Sequence, residues 1–171
     1  MQSNIEYSAS EIRTILQRLF PHRRLVLSQF TFFNQSGVAK PTGETFRRGR
    51  RCYRPFDILS IAAVLALKEE GIPYKNIEPL PAVIQQHSEE IFRLGSPCRV
   101  VGYKDFLSLE LPARERILVK TNEQNLSPLD AFAAHGSSYS LFWSFDVGAL
   151  ATQLERTIEA PAEVLPLYAN G

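Results

Sequence analysis

Cysteine is scarce in this sequence: Cys52 and Cys98 are the only two, and they share no short motif. Two isolated thiols can pair or stay reduced, but they cannot supply a thiolate zinc set. A reducing, cytoplasmic setting is the simpler expectation. Long apolar runs are missing as well, so no segment is expected to span a membrane. The N-terminus also lacks the charged-then-apolar pattern of a signal peptide. There is no Walker sequence and no G-x-G-x-x-G after a strand. His22, His87 and His135 are scattered without metal-ligand spacing, and Asp130 and His135 have no nucleophile elbow to serve. The chain is therefore expected to be no enzyme and to need no metal or cofactor.

Overall charge is nearly balanced, at +1, but it is unevenly placed. Residues 1–54 hold ten Lys/Arg against three acids, a net +7, and residues 55–171 hold nine against fifteen, a net −6. A basic head on an acidic body attracts phosphate backbones through counterion release. The plainer alternative is that the two parts neutralise each other by packing together. The densest basic run is "ETFRRGRRCYRPFD" (44–57), where Arg47, Arg48, Arg50, Arg51 and Arg54 surround Gly49.

The periodicity predicts a first helix over "SASEIRTILQRLF", capped by Ser8 or Ser10, with Ile12, Ile15, Leu16 and Leu19 on one face and Pro21 as its stop. "RRLVLSQFTFFNQ" suits either a strand or a second helix with one broad buried face, ended by Gly37. The near-symmetric flanks of Gly49 predict a short β-hairpin. A strong helix follows from Pro55 to Gly71, its buried stripe formed by Ile58, Ile61, Val64, Leu65 and Leu67. A helical turn at "PYKNIEPL" and a helix at "PAVIQQHSEEIFRLG" complete the head. After Pro97 the pattern changes to β-type alternation in "CRVVGYKDFLSLEL" and "RERILVKT". Then come a short helix at "SPLDAFAAHG", a strand at "SYSLFWSFDV", a helix at "GALATQLERTIE" and a tail. The expected fold class is α+β. A helical head (8–95) is followed by a small α+β domain (98–171) with a few antiparallel strands, and the boundary is expected near 95–97.

Helix, turn, helix, basic hairpin and helix, in that order, make a winged helix-turn-helix by mechanism. The residues "FFNQSGVAKP…RRCYRPFDILSIAAVLALKEEGIPYKNI" resemble the DNA-binding domain of MerR-type transcriptional regulators, over about 8–80. Phe32-Phe33 stand at the family's aromatic pair, Gly37-Val38 and Pro41 at its Gly-Leu and proline, and Arg51-Cys52-Tyr53 at the Arg-x-Tyr of the wing. Asp57-Ile58, Lys68, Gly71-Ile72 and Ile77 continue the pattern. Two departures are plain. Thr31 stands where the family usually carries an arginine, and "PAVIQQHSEEIFRLG" replaces the long antiparallel dimer helix.

The resemblance implies a bacterial transcription regulator binding double-stranded DNA, cytoplasmic and nucleoid-associated, with RNA polymerase as a further partner. Any homodimer would form through residues 98–171. Candidate DNA-binding residues are Arg23, Arg24, Ser28, Gln29 and Thr31 around the second helix, with Lys40, Arg47, Arg48, Arg50, Arg51 and Tyr53 in the wing. Arginine suits phosphate through its planar, permanently charged fork, whereas Ser, Thr and Gln can read base edges. An ordinary polar helix face is nearly as good an account of any single α-helical residue among them. Tyr53 fits a backbone contact or aromatic packing beneath the hairpin equally well. The alternative from another class is a protein-interaction adaptor that docks an acidic partner.

Overall fold

The computed structural model describes residues 5–26, 28–39, 52–103, 106–110, 116–120 and 142–160. The hairpin tip at Gly49, the helix expected at "SPLDAFAAHG" and the tail lie outside the described residues. Two short strands meet first: β1 (Tyr7–Ser8) pairs antiparallel with β2 (Cys52–Tyr53). The helices of the head are α1 (Ala9–Leu19), α2 (Ser28–Gln35), α3 (Pro55–Glu69), α4 (Tyr74–Ile77) and α5 (Leu80–Leu94). Then come β3 (Arg99–Tyr103), β4 (Phe106–Glu110), β5 (Arg116–Lys120), β6 (Phe142–Asp146) and α6 (Val147–Glu159). The fold is α+β.

Local chemistry accounts for the helix ends. Ser8 caps α1 reciprocally: its hydroxyl accepts from the Glu11 amide at 3.4 Å, and the Glu11 carboxylate accepts from the Ser8 amide at 2.6 Å. The helix stops at Leu19 because Phe20, preceding Pro21, leaves the helical region (φ −127, ψ 72). Pro55 opens α3, and the Asp57 carboxylate accepts from the Arg54 amide at 2.9 Å. Gly37 and Gly71 continue the chain beyond α2 and α3 at φ 73 and 79, backbone angles that favour glycine.

The second helix begins later than its sequence suggests. It starts at Ser28 rather than at the Arg23-Arg24 pair: residues 23–26 lie outside any helix, with Leu25 buried and Arg23 fastened to α3.

In α3 the expected single stripe is exceeded. Besides Ile58, Ile61, Val64, Leu65 and Leu67, the core takes Leu59, Ser60, Ala62 and Ala63. A helix that is apolar all round has to be covered all round, and α1, α5 and α6 pack on it. The helix α6 supplies Val147, Leu150, Ala151 and Leu154 to the same core as Ile12, Leu16 and Ile58. The core therefore runs across the division expected at 95–97. Pro97 follows a cis peptide bond there, and the Gly148 amide donates to the Cys98 carbonyl at 3.0 Å. Sequence texture changes at that point, but packing does not.

The larger sheet has four antiparallel strands in the order β5-β4-β3-β6. In β3, Gly102 faces Leu107 of β4 and Trp143 of β6 in register, and the Trp143 indole covers it so closely that a Cβ there would sit 2.0 Å from the ring. From β6 the chain passes directly into α6. The Asp146 carboxylate caps it, accepting from the Ala149 amide at 2.8 Å and from the Ser96 hydroxyl at 2.6 Å.

Candidate nucleic-acid interface

The helix α2 carries no charged side chain, and its two faces differ sharply. Phe30 and Phe33 are buried, whereas Ser28, Thr31, Phe32 and Gln35 are exposed. Spacings of three, four and seven residues place these four on one face of the helix. Ser28 and Thr31 thus lie on the open face of the helix. Gln29 does not, because it is half-buried and its side-chain oxygen accepts from the Val26 amide at 3.0 Å. Gln35 shares the open face and was not singled out from the sequence, although the same spacing would have found it.

Cations border this face unequally. Arg23 is committed to the fold: its Nη1 donates to the Leu65 carbonyl at 3.1 Å and meets Glu69 Oε1 at 3.2 Å. His22 Nε2 reaches the same oxygen at 3.2 Å. Arg23 therefore fastens the α1–α2 turn to the last turn of α3, where a cation also suits the helix dipole. That is a bracing role in place of the expected phosphate contact. Arg24 is exposed and has no ion-pair partner among the described residues. The Lys68 ammonium lies 5.8 Å from the centroid of the Phe32 ring. Between α2 and α3 a groove of about 270 Å³ is lined by Arg23, Gln29, Phe32, Phe33, Leu65 and Lys68.

Tyr53 is corrected from a candidate contact to a packing residue. It is 1% exposed, and its ring meets Phe30 edge-on with centroids 6.3 Å apart. Its hydroxyl lies 3.0 Å from Asn34 Nδ2 and 3.1 Å from Asn34 Oδ1, so it is held to α2. At the other end of the basic stretch, the Ala39 amide donates to the Phe33 carbonyl at 3.1 Å. Ala39 and Tyr53, on either side of residues 40–51, are thus two feet that stand on α2. Lys40, Arg47, Arg48, Arg50 and Arg51 lie within that segment, outside the described residues.

No protein-family model and no curated protein matches this chain.

Among the described residues, no group of three or more His, Cys, Asp or Glu side chains could hold a metal ion. Cys52 and Cys98 are both buried, and no disulfide joins them. Burial raises the Cys98 thiol above its ordinary pKa, helped by the nearby carboxylates of Asp146 and Glu90 and opposed by Arg93. Such a thiol stays protonated and is a poor nucleophile. No helix among the described residues is long and apolar enough to cross a membrane.

Proposed function

We propose that the chain is a sequence-specific DNA-binding transcriptional regulator whose head is a winged helix-turn-helix of the kind it resembles in MerR-type regulators. In this reading α1, the turn at Pro21-His22 and α2 form the helix-turn-helix, with α2 in the major groove. The segment 40–51 is the wing, which places its arginines on flanking phosphates. One observation carries the proposal: Ala39 and Tyr53, which flank the most basic segment, are both bonded to the helix that presents an uncharged polar face. Phosphate contacts position a protein, whereas uncharged donors and acceptors on a helix can distinguish bases. In this reading the open face of α2 does the second, and the neighbouring basic segment does the first.

Binding of the full chain to duplex fragments selected from genomic DNA, measured across a salt series, tests this. Log affinity is expected to fall linearly with log salt, by about 0.9 per phosphate neutralised. Arg48→Ala or Arg51→Ala is expected to flatten that slope. Equal, weak binding to selected and random duplexes at moderate salt would remove the proposal.

A protein-interaction adaptor is the second reading. The exposed ring of Phe32 beside Lys68, with exposed Val26 at the entry to α2, favours it to a degree. An acidic protein partner could engage both an apolar and a cationic group there. The doubly tethered basic segment weighs toward DNA. Dimerisation through residues 98–171 and contact with RNA polymerase belong to the same regulator proposal. The 15-residue α5, which leaves helical geometry at His87, is short for the long dimer helix of the regulators it resembles.

A further inference from the structure

Phe32 has no place in a reading of α2 that uses polar residues alone. It is 46% exposed, yet it is not a loose side chain. Its ring meets Phe33 edge-on at 5.9 Å and Tyr74 at 6.0 Å. Tyr74 is itself fixed, because its hydroxyl donates to the Ser36 carbonyl at 3.0 Å. Lys68 lies over the ring at 5.8 Å, a cation–π distance. A large apolar side chain is thus held in one place, beside Thr31 and between Ser28 and Gln35 on the open face of α2. A preset side chain loses little freedom when it meets a ligand.

A phenyl ring offers no hydrogen bond to a phosphate, so its position on this row calls for an apolar counterpart. Among the base edges of the major groove, the thymine C5-methyl is the apolar group, and aromatic or methyl-bearing side chains are its ordinary partners. We propose that Phe32 is a specificity-determining residue that selects a thymine by packing on its 5-methyl group. This inference rests on α2 entering the major groove. It adds that the recognised site contains an A·T pair opposite Phe32, read without a hydrogen bond from that side chain. Lys68, next to the ring, is placed to neutralise a phosphate near the same base pair.

The test uses the full chain and a duplex already shown to bind specifically, with each thymine replaced singly by deoxyuridine, which removes the methyl and keeps the pairing. Affinity is expected to fall about three- to fivefold at one position per bound head, the factor that burying one methyl group gives. Phe32→Ala should bind the unmodified duplex with a similar loss and become indifferent to uracil at that position. Phe32→Leu, which keeps an apolar contact, should retain part of the methyl preference. Specific binding with no methyl-sensitive position would overturn the inference and leave the regulator reading standing. So would a Phe32→Ala protein that still discriminates uracil at the same position. If no duplex is bound specifically, the DNA-binding reading itself falls, and this inference falls with it. The uracil scan of the unaltered protein decides even if Phe32→Ala folds poorly.

Discussion

Tyr53 and Asn34 are held together across the junction of β2 and α2, with the phenol hydroxyl 3.0 Å from the amide nitrogen and 3.1 Å from the amide oxygen. This pair fixes the downstream foot of the basic segment to the helix proposed to read DNA. Tyr53→Phe removes the hydroxyl and leaves the half-buried Asn34 amide short of a partner. The loss of one such bond is expected to destabilise the protein by about 1 kcal/mol. Urea unfolding would show it as a lower midpoint with unchanged slope. DNA affinity should fall too, because the foot is loosened, but the slope of log affinity against log salt should not change, since no charge is lost.

Arg23 and Arg24 are neighbours with different roles, and a paired substitution separates them. Arg24→Ala should reduce the salt slope of binding by about 1, as expected for one lost phosphate contact. Arg23→Ala should leave the slope nearly unchanged and lower stability by about 1 kcal/mol or less, because its pairing with Glu69 is partly open to solvent. A larger slope change for Arg23→Ala than for Arg24→Ala would reverse the assignment.

Gly148 lies where α6 meets the end of α5, and a Cβ there would come 2.0 Å from the Gly95 carbonyl oxygen. Backbone is on the other side of that contact, so a shift of the helix is unavoidable. Gly148→Ala is expected to cost about 1–3 kcal/mol, the usual range for overpacking. Because α6 shares its core with α1, α3 and α5, the loss should be felt by the whole head. Far-UV circular dichroism and the fluorescence of Trp143, the chain's one tryptophan, should report the same shifted transition. A fragment ending at residue 97 should fail to form the stable head, since the elements covering α3 include α6.

The raised pKa of Cys98 gives stability a sign against pH. The folded state holds the thiol proton more tightly than the unfolded chain does, and an unperturbed cysteine thiol titrates at about 8.5. This contribution is therefore fully present below about pH 8.5 and is lost as pH rises through the higher folded value. Urea midpoints should decline over that alkaline interval, and Cys98→Ala should flatten the decline even if it lowers stability at neutral pH.

Much of the head is legible in the sequence because its signals are local. Ser8 with Glu11, Pro55 with Asp57, and the glycines at 37, 71 and 95 set helix ends through interactions within a few residues. The alternation after Pro97 likewise marks β3 to β5 correctly. What local pattern does not reveal is what covers what. The burial of Leu59, Ala62 and Ala63 depends on more than the neighbouring turns of α3, and the late start of α2 depends on Arg23 finding Leu65 and Glu69 more than forty residues onward. The boundary expected at 95–97 came from a change of texture, whereas the core was closed by α6 from near the end of the chain. On α2, the exposure of Ser28 and Thr31 was legible by residue type. Phe32 and Gln35 follow from the same helical spacing as Ser28 and Thr31, whereas the packing role of Tyr53 required its burial to be known.

Selection of genomic duplex fragments by the full-length protein, followed by competition against random duplex at physiological salt, tests the central claim most directly. A regulator reading bases through α2 should enrich fragments sharing one short motif and prefer it over random sequence by a factor on the order of 1,000 or more. Enrichment of no common motif, with selected and random duplexes competing equally, would contradict the account.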